Sequence, residues 1–138
     1  MKRIILIVAL VLAAVELNSC IFVVREEKTH RRQPPVEYPS TDDTIEIDAI
    51  GKLSFDADRH SAYKRIAARE GLCASSQAYL VEAVFKNLSF ESAKVDVLLT
   101  LIENPGFSPA AKNAILSQLE RLSFESNKRE IIEAMNER

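Results

Sequence analysis

The chain has 138 residues, 47% of them hydrophobic and 28% charged, which is a single domain's length and a composition that excludes a disordered or collagen-like polypeptide. Three Gly and five Pro supply too little turn chemistry for an all-β protein of this size, and two Cys cannot build a disulfide framework. A formal net charge of −2 removes the global electrostatic case for nucleic acid as a partner.

The first element is an apolar run from Ile4 to Val15, preceded by Met1-Lys2-Arg3 and followed by Glu16-Leu17-Asn18-Ser19-Cys20. A basic head and about a dozen apolar residues fit a secretory signal, whereas a membrane span needs roughly 20. Leu17-Asn18-Ser19-Cys20 resembles a bacterial lipobox, with Leu three positions before the cysteine, a small residue just before it, and Asn18 as the unusual occupant. The resemblance implies residues 1–19 as signal peptide, cleavage between Ser19 and Cys20, a diacylglyceryl group on the Cys20 thiol, and acylation (palmitate, for example) of the new amino terminus. More than one buried acyl chain makes such anchoring stable. The expected product is a lipoprotein of the bacterial cell envelope, on the outer membrane rather than the inner. Two other readings stand beside it. Ile4 to Val24 forms one uncleaved anchor, at the cost of placing Glu16 and Asn18 in hydrocarbon, or Cys20 merely follows an ordinary signal.

Residues 20–40 read as a tether. Arg25, Lys28, His30, Arg31 and Arg32 surround Glu26 and Glu27, and Pro34, Pro35 and Pro39 break any helix. A basic patch beside a membrane attracts anionic head groups. The two acids inside this cluster favour a solvated spacer instead.

Residues 41–138 contain one motif three times: Leu53-Ser54-Phe55-Asp56-Ala57-Asp58-Arg59, Leu88-Ser89-Phe90-Glu91-Ser92-Ala93-Lys94 and Leu122-Ser123-Phe124-Glu125-Ser126-Asn127-Lys128. The periods of 35 and 34 residues are those of stacked helical hairpins. Thirteen residues before each motif leucine stand Ser40, Ser75 and Pro109, the last preceded by Ser108, so first helices are expected over about 41–53, 76–88 and 109–122. Leu80, Val81, Val84, Phe85 and Leu88 give the second of these an apolar stripe, and Ile115, Leu116, Leu119 and Leu122 the third. Ser54, Ser89 and Ser123 are placed to cap the second helix of each unit, with an acid in its first turn where the dipole favours negative charge. Core columns then recur as Ala62, Val97 and Ile131, as Tyr63, Leu98 and Ile132, and as Ile66, Leu101 and Met135. Gly71 and Asn104-Pro105-Gly106 stop the first two of these helices. The first unit is the least regular, because Thr44-Ile45-Glu46-Ile47-Asp48 alternates like a strand and Gly51 interrupts the pattern. It is expected to be helix, with a short extended segment as the alternative. The expected fold is all-α, three stacked hairpins over about 41–71, 76–103 and 109–137, as a right-handed solenoid or a compact bundle.

These motifs resemble an uncharacterised family of bacterial envelope domains whose repeats run hydrophobe-x-Phe-acid-Ser-x-Lys. The resemblance covers roughly residues 72–138 and is clearest at Phe90–Lys94 and Phe124–Lys128, while Ala57 and Arg59 depart from it in the first copy. It implies an all-helical domain and no particular activity.

Catalytic and metal chemistry find little material. His30 and His60 have no ligand partner at helical spacing, and no His/Cys cluster has metal spacing. Asp42, Asp43, Glu46 and Asp48 hint at a calcium loop but lack its central glycine and final Glu. Neither a phosphate-cradling loop nor a Gly-x-Ser-x-Gly elbow occurs, so no metal, cofactor or catalytic residue is expected. Cys73, the free thiol of the mature chain, reads as a half-buried connector. A thiol-dependent enzyme or stress-responsive protein pairing Cys73 with His60 is the competing reading. The most functional-looking feature is the recurring pair Asp56/Arg59, Glu91/Lys94 and Glu125/Lys128, each spaced i, i+3 on one helix face. Stacking would align these six side chains as a candidate binding strip for an envelope protein, against the alternative of local helix stabilisation. The expected function is a non-catalytic interaction or scaffold module, with a purely structural spacer as the further alternative.

Overall fold

The computed structural model describes residues 38–138; the expected signal peptide, Cys20 and nearly all of the expected tether lie outside them. The chain divides into two units, Met1–Pro34 and Pro35–Arg138, and the second holds every described residue. Its helices are α1 (Thr41–Gly51), α2 (Asp56–Ala67), α3 (Ala74–Asn87), α4 (Glu91–Glu103), α5 (Pro109–Gln118, extended by a 3₁₀ turn over Leu119–Arg121) and α6 (Glu125–Asn136). No strand occurs among the described residues, so the fold is all-α. The alternating stretch Thr44–Asp48 is helical: Ile47 and Ile50, three apart, are the residues α1 buries.

The hairpins α1–α2, α3–α4 and α5–α6 stack in two layers. In one, α3 lies between α1 and α5; in the other, α4 lies between α2 and α6. The core fills the space between layers. Ala62, Val97 and Ile131 are buried, as are Ile66, Leu101 and Met135, and the α3 stripe from Leu80 to Leu88 is buried at all five expected positions. Two apolar expectations fail. Ile132 is 39% and Leu116 44% exposed, although Leu98, one repeat before Ile132, is fully buried. The third hairpin has no successor among the described residues, so Ile132 lacks the neighbour that would cover it, whereas Leu116 matches Glu82 of the second hairpin and stands on a face that is exposed in both.

The helix starts differ from the serine pattern. Ser54, Ser89 and Ser123 are not caps; each second helix is capped by the next residue, Phe55, Phe90 or Phe124, in extended backbone with no side-chain cap bond. The serine thus stands one residue too early for its hydroxyl to serve the first turn. At α3 the cap is Cys73, not Ser75: its Sγ accepts from Ser76 N–H at 3.4 Å, and the helix begins two residues sooner than the hydroxyl rule predicts. Ser108 caps α5 through Ala111 N–H at 3.2 Å with Pro109 in the first turn, as its sequence implies. Gly51 ends α1 where a β-carbon would stand 2.6 Å from Asn87 Nδ2, inside the chain of bonds from Asn87 to Tyr63 Oη to the Ile47 carbonyl.

Candidate interaction site

The motif acids are the joints of the stack. Asp56 Oδ1 accepts from Ser89 N–H of the next repeat at 2.9 Å and from Arg59 at the same distance. Glu91 repeats the move one hairpin on, accepting from Ser123 N–H at 2.7 Å, Phe124 N–H at 3.0 Å and Asn127 Nδ2 at 2.8 Å. An acid at the first turn of one helix thereby satisfies backbone donors that lead into the next repeat's helix. Desolvation raises both carboxyl pKa values, but these hydrogen bonds outweigh it and hold each below its ordinary value.

The candidate strip is consequently not a row of identical pairs. Asp56 and Arg59 form an ion pair, and so do Glu125 and Lys128 at 2.7 Å. Glu91 is given wholly to the next repeat, and Lys94 instead lies 5.9 Å from the Phe85 ring centre, with the Arg121 guanidinium 5.5 Å from the same ring. Glu125 has no following repeat among the described residues to join, and its side chain is 78% exposed.

What the motif does present outward is its aromatic residue. Phe55, Phe90 and Phe124 are 71%, 66% and 62% exposed. They open α2, α4 and α6, which pack side by side, so they form one row along the edge made by the three hairpin turns. The core columns read from the helical period do not include these phenylalanines, and their position just before the helix, where side chains point away from the inter-layer space, is the signal for exposure.

His60 finds a partner that the sequence did not suggest. Its Nε2 is 2.7 Å from Asp96 Oδ2, 36 residues away on α4, and Lys64 Nζ meets the same carboxylate at 2.8 and 2.9 Å. The Lys64 hydrogen bond, against the desolvation of partial burial and with help from His60, lowers the Asp96 pKa. This three-residue bridge spans the groove between α2 and α4 and divides it. On one side is a hollow of about 370 Å³ with Ala57, Ser92 and Ala93 beneath Phe90; on the other, one of about 530 Å³ between Lys64, Arg65, Ala68 and Thr100. Small residues at 57, 68 and 93 leave the space open.

Cys73 and His60 do not meet. The Cys73 thiol contacts Ser76 Oγ at 3.0 Å and Ser75 Oγ at 3.6 Å, and the imidazole is engaged by Asp96. Burial pushes the thiol pKa up, but the hydrogen bonds from Ser76 and Ser75 overcome it and bring the thiol below its ordinary value. Of the α1 acids, Asp43 and Glu46 pair with Arg69, and Asp48 accepts from Tyr79 Oη at 2.8 Å. No group of three His, Cys, Asp or Glu side chains among the described residues is placed to hold a metal ion. No helix among the described residues is long and apolar enough to cross a membrane.

No protein-family model matches the chain, and neither a curated protein nor a solved structure is found similar to it. The likeness to envelope domains therefore rests on the motifs quoted above.

Proposed function

We propose that this is a lipid-anchored protein of the bacterial envelope whose stacked hairpins form a non-catalytic interaction module, with a protein partner seated in the groove between α2 and α4. The observation that carries the reading is the pair of hollows on either side of the His60–Asp96–Lys64 bridge. Each has a small apolar floor and a rim of charged or hydrogen-bonding groups, the form of a site that anchors a partner's side chains and fixes their register. The bridge supports binding over chemistry: the His60 Nε2 and both Asp96 oxygens are already engaged, and the nearby Ser61 hydroxyl donates to the Ala57 carbonyl at 2.9 Å. The lipobox supplies the address, and a fixed address gives a weak groove a high effective partner concentration.

Photocrosslinking residues introduced in cells at Ala57 and Ser92, in the groove, and at Glu70, in the turn after α2, test it. A discrete protein adduct from the groove positions, absent at Glu70 and weakened by Lys64→Glu, is expected. Equal labelling at all three sites, or none, would leave the repeats as a spacer. Intact mass of the membrane-extracted protein tests the anchor: loss of residues 1–19 plus acyl mass on Cys20 is expected, and an unmodified Cys20 would remove it.

A further inference from the structure

The row of Phe55, Phe90 and Phe124 is separate from the groove's length and is not used by the partner site proposed above, apart from the wall that Phe90 lends to one hollow. At about two-thirds exposure, three phenylalanine side chains leave roughly 300–500 Å² of apolar surface in one line. An exposed patch of that size marks a contact with a protein or a membrane. Leu53, 41% exposed, extends it at the first turn.

The charges around the row distinguish the two. Each hairpin carries an exposed cation three or four residues before its phenylalanine: Lys52, Lys86 at the end of α3, and Arg121, whose guanidinium donates to the Phe85 carbonyl and Gln118. Lys52 and Lys86 face one cleft of about 280 Å³ beside Asn87, and the acid in that cleft, Asp48, is already held by Tyr79. The motif acids on the same edge are occupied: Asp56 and Glu91 bond across the seams to the next repeat, and Glu125 pairs with Lys128. Asp58 and Glu120 are the exposed carboxylates that remain in these turns. Aromatic rings at the tips with lysine and arginine set just behind them is the arrangement that suits a phospholipid interface, where rings enter the head-group boundary and cations meet phosphates.

We infer that the hairpin-turn edge of the repeat array rests on a phospholipid surface, with Phe55, Phe90 and Phe124 entering the interface and Lys52 and Lys86 contacting lipid phosphate. The contact does not depend on acylation of Cys20, and it leaves the far ends of the helices, with the turns after α2 and α4, turned toward water.

The chain contains no tryptophan, so Phe90→Trp installs a single emitter at the edge. The full-length chain carrying it is mixed with vesicles of phosphatidylethanolamine and phosphatidylglycerol, and Glu70→Trp serves as the reference on the opposite edge. Expected are a blue-shifted emission, quenching by lipids brominated near the head group, and lost access to acrylamide for Phe90→Trp, with none of these for Glu70→Trp. Replacing Phe55 and Phe124 by Ser in the Phe90→Trp chain should weaken its protection about tenfold or more, and Lys52→Glu with Lys86→Glu should weaken it further on anionic than on zwitterionic vesicles. Phe90→Trp that stays unshifted while the chain sediments with vesicles would overturn the inference, since another segment then holds the chain. Protection in native membranes but not on protein-free vesicles would also overturn it and assign the edge to a protein. The first outcome does not bear on crosslinks from Ala57 and Ser92, and Phe124→Trp, which lies outside both hollows, separates the second from a partner held in the groove: protection of Phe90→Trp alone assigns it to the groove.

Discussion

A single carboxylate explains why the motif repeats. Glu91 gathers three donors from the following hairpin, and nothing in its own helix competes, because Lys94 has turned to Phe85. Glu91→Gln keeps one acceptor oxygen and loses the charge, so it should lower the urea midpoint at neutral pH. The pH dependence has a definite sign. A folded-state pKa below the ordinary one means that the unfolded chain binds more protons, so the stabilisation is complete above the unfolded value of about 4.3 and disappears as pH falls through the folded value. The gap between wild type and Glu91→Gln should therefore close from about pH 4.3 downward; a gap that stays constant on acidification would show that Glu91 contributes nothing as an anion. Cys73 offers a second test at this scale. Sulfur is a weak acceptor, and a hydroxyl is a better cap. Cys73→Ser should equal or exceed the parent in stability and Cys73→Ala should fall about 0.5–1 kcal/mol below Cys73→Ser, the ordinary worth of a cap, in urea unfolding. Equal stabilities would mean that the Ser76 contact is incidental.

Between elements, two buried amides splice one hairpin to the next. Gln77 donates to the Leu72 and Gly106 carbonyls and accepts from Ser108 N–H; Asn104 donates to the Ala67 and Arg69 carbonyls at the end of α2 and accepts from Gly106 N–H. Asn104 thus satisfies carbonyls that α2 leaves open and shapes the turn that follows α4. Asn104→Ala strands two of those carbonyls in a site 5% exposed and should cost about 1–3 kcal/mol, read from the chemical-denaturation midpoint, with faster amide exchange in the α2–α3 turn. An unchanged midpoint would mean that water takes over both bonds. These amides mark the boundary of what sequence reading reaches. The hairpins and their core columns were legible because burial in a helix imposes a 3.6-residue period that a repeat multiplies by three, as Ile66, Leu101 and Met135 illustrate. Bonds between repeats have no such local trace. Asp56, with Arg59 three residues away, reads as a local pair although its second partner is 33 residues on, and Asn104 reads as a turn residue although it serves α2. The groove escaped for the same reason: its bridge joins residues 60 and 96, which no short-range rule connects.

Across the described residues, the stack is held chiefly by contacts between neighbouring hairpins. Among the described residues, side-chain hydrogen bonds tie the first hairpin to the second and the second to the third, as His60 to Asp96 and Glu91 to Asn127 do, and none ties the first to the third. Stability of such a stack is a sum of hairpin and interface contributions, and its outer faces must be polar to prevent further stacking. The third hairpin meets that need in part. Val95 and Ile102 on α4 are buried at 6% and 1% exposure, while the residues one repeat later, Arg129 and Asn136, are polar and exposed. Ile132 is the large apolar residue that this face still shows. Arg129→Val with Asn136→Ile restores the interior pattern there and joins both positions to Ile132 in an apolar surface of the kind that marks a protein contact. The double variant should keep its helical circular dichroism and gain a concentration-dependent increase in molar mass by light scattering beyond that of the parent. Because the edge opposite this face belongs to the first hairpin, growth by head-to-tail addition gives open oligomers, whereas two third hairpins meeting face to face stop at a dimer. Light scattering separates these cases, and a variant whose mass matches the parent at every concentration would show that Arg129 and Asn136 do not limit the stack.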